Sequence, residues 1–230
     1  MYHSTTKQLM ASKTDNMVAS PSDTPRLEVL DLHEPHTFIK PIKRINEGTD
    51  VSHFLTSHAY RDICLFVLQL NRSMCPRVVT ENGVTHFQTF KLGDDTKVEG
   101  LVERVQSMLK VIEKLIDEVP PDTGPRRFGN ISFRRWHEVL ESRIVSILRE
   151  YVPHDILDAG KGRQATAEDE LLSYLMGSFG SGLRLDFGTG HELSFLAFLG
   201  CLWKMRGFSG KDIPTDGSVE RSIVLGVFEP

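Results

Sequence analysis

The chain has 230 residues and a mass of 26.0 kDa, enough for one large domain or two small ones. Hydrophobic residues at 40% and charged residues at 25% are ordinary globular usage, which excludes collagen-like, mucin-like and wholly disordered descriptions of the whole. A net charge of −4 gives no basic excess for a phosphate backbone, so no nucleic-acid partner is expected.

Residues 1–25 are polar and carry no apolar core of a secretory signal. Their composition cannot bury enough apolar surface to offset ordering, so residues 1–30 read as a disordered tail ahead of one domain over 31–230. The segment FIKPIKRIN, Phe38 to Asn46, reads as extended, with Pro41 opposing an early helix. Ser57 can cap the next helix. There Tyr60, Ile63, Val67, Leu70 and Met74 recur at three- and four-residue steps, with Cys64 and Phe66 broadening the apolar face. The β-branched residues around Asn82-Gly83 predict one small hairpin between Pro76 and Asp95.

From Val98 the helical period returns. Leu101, Val105, Met108, Ile112, Leu115 and Val119 form a seam that Pro120 and Pro121 close. The next helix takes its cap from Asn130 or Ser132. It places Phe133, Trp136, Leu140, Ile144, Ile147 and Tyr151 on one face, and Arg134, Arg135, Glu138, Glu141 and Arg149 on a solvated one. A helix from Ala167 to Met176 ends at Gly177, Gly180 and Gly182, and another begins after Gly190 and runs to Met205. Its apolar run, Leu193 to Trp203, is too short to cross a bilayer, so no membrane partner is expected. A last helix starts near Ser218, with Val219, Ile223, Val224, Val227 and Phe228 apolar. The chain stops at Pro230, so this face is expected to lack its neighbours and the chain to be a shortened one. The fold class is all-α with at most one hairpin.

Two segments carry candidate chemistry. The first is SFGSGLRLDFGTGHE, Ser178 to Glu192, a glycine-dense joint between two apolar helices. Gly188 and Gly190 allow positive φ and close backbone approach. Gly190 leads into a helix whose free N–H groups form an anion site, and Arg184 can add a guanidinium suited to phosphate. The same residues also fit a plain turn, with Thr189 as an N-cap and Asp186 paired with Arg184. No P-loop pattern is present, and GTGHEL lacks the third glycine of a dinucleotide fingerprint. HELSF is no zinc motif, because position 195 is Phe where a second histidine is required. No metal ligands and no catalytic nucleophile are identified; the cysteines Cys64, Cys75 and Cys201 form no paired motif and fit a reducing compartment. The second segment is RRFGN followed by SFRRWH. Arg126, Arg127, Arg134 and Arg135 surround Phe128 and Trp136, either as a site for an acidic partner or stacked bases, or as a helix entry with aromatics in the core.

RRFGNISFRRWH and SFGSGLRLDFGTGHELSFLAFL closely resemble signature stretches of the phosphotyrosyl phosphatase activator family, the activators of protein phosphatase 2A. FIKPIKRI, SHAYRDICLFVLQLN and the long helix ending EVPP resemble that family too. The resemblance runs roughly from Phe38 to Phe228 and is poor over Pro76 to Asp95. It implies an all-helical activator fold with core, lid and linker parts around a cleft. It also implies the phosphatase catalytic subunit as partner, ATP with Mg as cofactor, and peptidyl-prolyl cis–trans isomerase activity in the cytoplasm with a nuclear share. Arg184, Thr189 and Gly190 stand at the motif positions that contact ATP. The family continues past the IVLGVF helix into segments that hold magnesium and further ATP contacts, so the resemblance implies a chain incomplete at its C-terminus. The alternatives to a catalytic activator are a non-catalytic phosphatase chaperone or binding module, and an inactive short form.

Overall fold

The computed structural model describes residues 25–31, 34–94, 98–124, 129–208 and 214–228. Helices α1 (Gly48–Leu55) and α2 (His58–Met74) come first, then a hairpin of β1 (Arg77–Glu81) and β2 (Val84–Gln88). Helices α3 (Gly100–Glu118), α4 (Ser132–Tyr151), α5 (His154–Leu157), α6 (Ala167–Gly177), α7 (Thr189–Lys204) and α8 (Ser218–Ile223) follow. A π-helical turn, Val224–Phe228, continues α8. The all-α expectation with one small hairpin holds.

The seam from Leu101 to Val119 is buried along its whole length, with Val105 and Met108 fully inside. It packs on α4, whose inner face is Trp136, Leu140, Ile144, Ile147 and Leu148. Each such side chain contributes about 1.5–3 kcal/mol of apolar burial. Across the rim, Arg143 donates to both carboxylate oxygens of Glu118 at 2.7 and 2.8 Å. Arg104 donates to the carbonyls of Tyr151 and Glu150 at 2.6 and 3.0 Å, setting a cation at the C-terminus of α4, where the helix dipole favours one. The N-cap of α4 is Ile131, not the expected Asn130 or Ser132, although Asn130 Oδ1 still accepts from the Ser132 amide at 3.0 Å, just ahead of the helix.

In α2 the expected cap holds, Ser57 Oγ accepting from the Tyr60 amide at 3.1 Å. Of the expected face, Phe66 and Leu70 are buried and Tyr60, Ile63, Cys64 and Met74 half-buried, while Val67 is 44% exposed and the polar Gln69 is buried in addition. The hairpin turn is Asn82-Gly83, both residues at positive φ (52° and 79°), the conformation that matches the twist of two antiparallel strands.

Two expectations about the ends of the domain are corrected. Residues 25–30, read as tail, are packed: Leu27 is buried, and its amide donates to Gln69 Oε1 at 2.9 Å while its carbonyl accepts from Trp203 Nε1 at 3.0 Å. The rest of the expected tail, 1–24, lies outside the described residues. The last helix does not lack neighbours. Ile223 and Val227 are buried, α8 lies on α2, and the π turn lies on α3, where Gly226 leaves room for Val98 and Val102. Among the described residues no helix is long and apolar enough to cross a membrane. The apolar run in α7 is core, with Phe198, Leu199 and Leu202 fully buried.

Candidate functional site

The glycine-dense joint is a folded loop. After α6 ends, Gly180 takes φ 91°, and a Cβ there would stand 2.8 Å from the Asp186 carbonyl, so only glycine fits. The Ser181 amide donates to that carbonyl at 3.0 Å, and the Leu185 amide donates to the Ser181 carbonyl at 2.8 Å. Leu185 is left-handed at φ 56°, which the surrounding bonds enforce.

The two segments singled out in the sequence meet here. Arg134 Nε and Nη2 reach the carbonyls of Gly182 and Leu183 at 3.3 and 3.4 Å, so this residue is not simply part of a solvated face. Gly182 lies against the His137 ring, and Gly129 leaves space for Leu185. Trp136 is buried between Phe133 and Phe179, so the helix-entry reading holds for that aromatic. Arg126, Arg127 and Phe128 lie outside the described residues.

Arg184 and Asp186 are exposed and joined, Nε donating to Oδ2 at 2.7 Å. That hydrogen bond holds the Asp186 carboxyl below its usual range and raises the guanidinium. Only Nε is used in this pair, so the guanidinium keeps its two terminal nitrogens for another acceptor.

Helix α7 begins earlier than expected. Gly188 is its N-cap, and Thr189 and Gly190 are its first two helical residues, so Thr189 is not the cap. Neither Gly188, at φ −165°, nor Gly190 uses the positive φ expected of it; that freedom is used at Gly180. A Cβ at Gly188 or Gly190 would meet nothing within 4 Å, so the helix start is open. Its first amides have no carbonyl within the helix to bond, and no side chain caps them. His191 closes the joint from inside, its Nδ1 lying 2.6 Å from the Gly177 carbonyl and its ring stacked on the exposed Phe187 at 5.6 Å between centroids. Where a zinc motif would place its second histidine, Phe195 stacks on Phe198.

Arg184 and His191 share an open groove of about 760 Å³ with Arg134, His137, Glu138 and Glu141. Thr189 and Gly190 sit next to it in the chain, at the helix start. The sequence reading placed Glu138 and Glu141 on a solvated face and gave His137 no role; spacings of three, four and seven residues from Arg134 along α4 were the available signal. Among the described residues no three His, Cys, Asp or Glu side chains are grouped to hold a metal ion.

A helical scaffold whose glycine loop leads into an open helix start defines the class: an all-α protein with one small hairpin. The particular family follows from comparison. Residues 41–230 match the family described as phosphotyrosyl phosphate activator (PTPA) protein, and the chain belongs to it. It is 49% identical over 207 residues to serine/threonine-protein phosphatase 2A activator 1 of Emericella nidulans, covering 89% of this chain and 46% of that protein. The protein of the same name in Aspergillus fumigatus is 50% identical, with 89% and 42% covered. Among solved structures, the PP2A phosphatase activator Ypa1 PTPA1 superposes with a TM-score of 0.63 at 27% identity, covering 88% of this chain and 56% of that one. The chain thus spans about half the length of the curated relatives it matches.

Proposed function

We propose that this chain acts as an activator of serine/threonine protein phosphatase 2A, engaging the phosphatase catalytic subunit. Its membership of the activator family supports this, together with the names its relatives carry. The observation that carries the site is the open start of α7 beside Arg184. In this reading the exposed start of α7, at the positive end of its helix dipole, and the terminal nitrogens of Arg184 would together receive one anionic group. Glu138 and Glu141 line the same groove and oppose a second one.

Those residues fit one phosphate of a nucleotide. In the finer reading, Arg184, Thr189 and Gly190 hold the phosphate end of ATP, and magnesium arrives on the nucleotide. Bound ATP would supply the negative charge that this end of the groove neutralises, in support of phosphatase activation. The finer reading also includes proline isomerisation. An X-Pro bond crosses a barrier of about 18–20 kcal/mol, and a cleft that binds the twisted amide better than either planar form lowers it without a nucleophile.

The test is direct. The purified chain is mixed with the phosphatase catalytic subunit, with and without magnesium and ATP, and complex formation, phosphatase activity and proline isomerisation are followed in parallel. Binding with a rise in phosphatase activity supports the activator reading; no complex at micromolar concentration overturns it. Arg184→Ala is expected to weaken ATP binding at least tenfold in calorimetry with the fold intact, and unchanged affinity removes Arg184 from the nucleotide site. Loss of activation with isomerisation retained would favour a binding module over a catalytic activator.

A further inference from the structure

Two arginines meet where the hairpin approaches α8, and neither lines the groove. Arg77 opens β1, and Arg221 lies within α8. Both turn to one acceptor. Arg77 Nη1 donates to the Asp216 carbonyl at 2.8 Å, and Arg221 Nη1 donates to the same carbonyl at 3.0 Å. Both guanidinium groups also lie over the ring of Phe90, 5.3 and 4.4 Å from its centroid. Gly217 stands at φ 72°, and a Cβ there would come 3.1 Å from Arg221 Nη1, so glycine lets the guanidinium approach the backbone closely.

Two like charges held this close repel. The remaining bonds of the pair go to neutral oxygens: Arg77 Nε donates to Gln88 Oε1 at 2.7 Å, and Arg221 Nη1 to the Ser73 carbonyl at 3.4 Å. Among the described residues no carboxylate forms an ion pair with either arginine. The acids nearby are engaged elsewhere. Asp216 Oδ1 accepts from the Ser218 amide at 3.0 Å and its hydroxyl at 2.6 Å, and Glu220 is paired with Arg26. Burial, then the charge of Arg77, hold the Arg221 guanidinium below its ordinary value. Arg221 is 9% exposed, yet its unbonded Nε and Nη2 are not sealed from solvent. The sealed, unpartnered side-chain atoms among the described residues are Trp136 Nε1 and Glu220 Oε2. Arg77 Nη2 is likewise unbonded and open. Donors on two side chains are therefore left to solvent beside an uncompensated positive charge.

We propose that Arg77 and Arg221 form a binding site for a phosphate-class oxyanion, brought either as free phosphate or on a phosphorylated side chain. A tetrahedral anion offers oxygens in several directions, which suits donors on two side chains, whereas a carboxylate presents both of its oxygens to one fork. The bound anion offsets the repulsion within the pair and ties the hairpin to α8.

The probe is inorganic phosphate, titrated into the whole chain at constant ionic strength while amide shifts are followed by NMR. Saturable shifts are expected at Arg77, Gln88 and Gly217, with acetate binding at least tenfold more weakly. Arg184→Ala, in the separate groove, is expected to leave these shifts unchanged, which keeps this site distinct from the proposed nucleotide site. Arg77→Gln is expected to weaken the response at Gly217 at least tenfold. Should that variant fail to fold, Arg77→Lys keeps the charge and gives up the planar fork, and several-fold weakening is expected there. Phosphoserine with both ends blocked is titrated in parallel. Tighter binding than phosphate supports the site as one for a phosphorylated side chain, and weaker binding supports it as one for the free ion. No saturable shift up to millimolar phosphate overturns the proposal and leaves the pair as a tie between hairpin and helix. So does equal binding by a folded Arg77 variant, acetate binding as tight as phosphate, or loss of the response in Arg184→Ala.

Discussion

Arg26 and Glu220 form an ion pair of unequal burial: the carboxylate side chain is 3% exposed and the guanidinium 28%. The same carboxylate oxygen accepts from Gln69 Nε2 at 2.9 Å, and Arg26 lies over the Trp203 ring. The segment before α1, α2, α7 and α8 therefore meet around one buried acid. Removing the cation strands that acid, so Arg26→Ala is expected to cost about 3–5 kcal/mol. Urea unfolding measures it. A loss under about 1 kcal/mol would show the pair behaving as an ordinary surface bridge.

The glycines of the loop are not equivalent. Gly180→Ala sets a side chain at φ 91° and 2.8 Å from the Asp186 carbonyl, and is expected to destabilise by about 1–3 kcal/mol. Gly188→Ala enters open space in extended backbone and is expected to change stability by less than about 0.5 kcal/mol. Melting temperatures of the two variants decide the matter; equal losses would contradict the loop geometry.

At the start of α6, Asp169 accepts from the Thr166 amide at 2.9 Å and the Thr166 hydroxyl at 2.8 Å. The amide bond, then the hydroxyl bond, hold its carboxyl below the ordinary value. A carboxyl depressed by folding contributes stability above its unfolded pKa, about 3.9, and loses it as pH falls through the lower folded value. Asp169→Asn is expected to be less stable than wild type near neutrality and to lose less between pH 5 and 3. Parallel acid titrations by circular dichroism would refute this.

Trp136 fills the entry of α4, but its indole N–H finds no partner among the described residues. Trp136→Ala is expected to cost about 3–5 kcal/mol through the cavity it leaves. Trp136→Phe keeps most of the ring and removes the unsatisfied donor, so a smaller loss is expected. Equal losses for both would mean that the indole nitrogen is satisfied in solution.

Local patterns carried most of the fold. The seam of α3, the cap at Ser57 and the Asn82-Gly83 turn are each set by residues within a few positions of one another. Contacts distant in sequence were invisible to that reasoning. Gln69 lies outside the apolar stripe read from the sequence, yet it is buried, and Leu27 and Glu220, 42 and 151 residues away, complete its hydrogen bonds. The charged pair Glu220 and Arg221 is likewise buried, with nothing local to mark it. At the site, Arg184 and Gly190 are anion-binding candidates from residue chemistry, and the expectation that Arg184, Thr189 and Gly190 contact ATP comes from the resemblance; the helix start was misplaced because an N-cap glycine offers no side chain to mark it. Arg134 stood in the second candidate cluster, but its partners, the carbonyls of Gly182 and Leu183, leave no mark in the sequence because every residue has one.

The contact between His191 and the Gly177 carbonyl has a consequence for what the groove can accept. A carbonyl oxygen only receives protons, so Nδ1 must carry one, and the neutral ring is confined to a single tautomer with Nε2 bare. That lone pair lies 4.0 Å from Asp186 Oδ1. With that lone pair beside a carboxylate, the imidazole adds an acceptor to this wall of the groove, which therefore favours a ligand that brings a hydrogen-bond donor there.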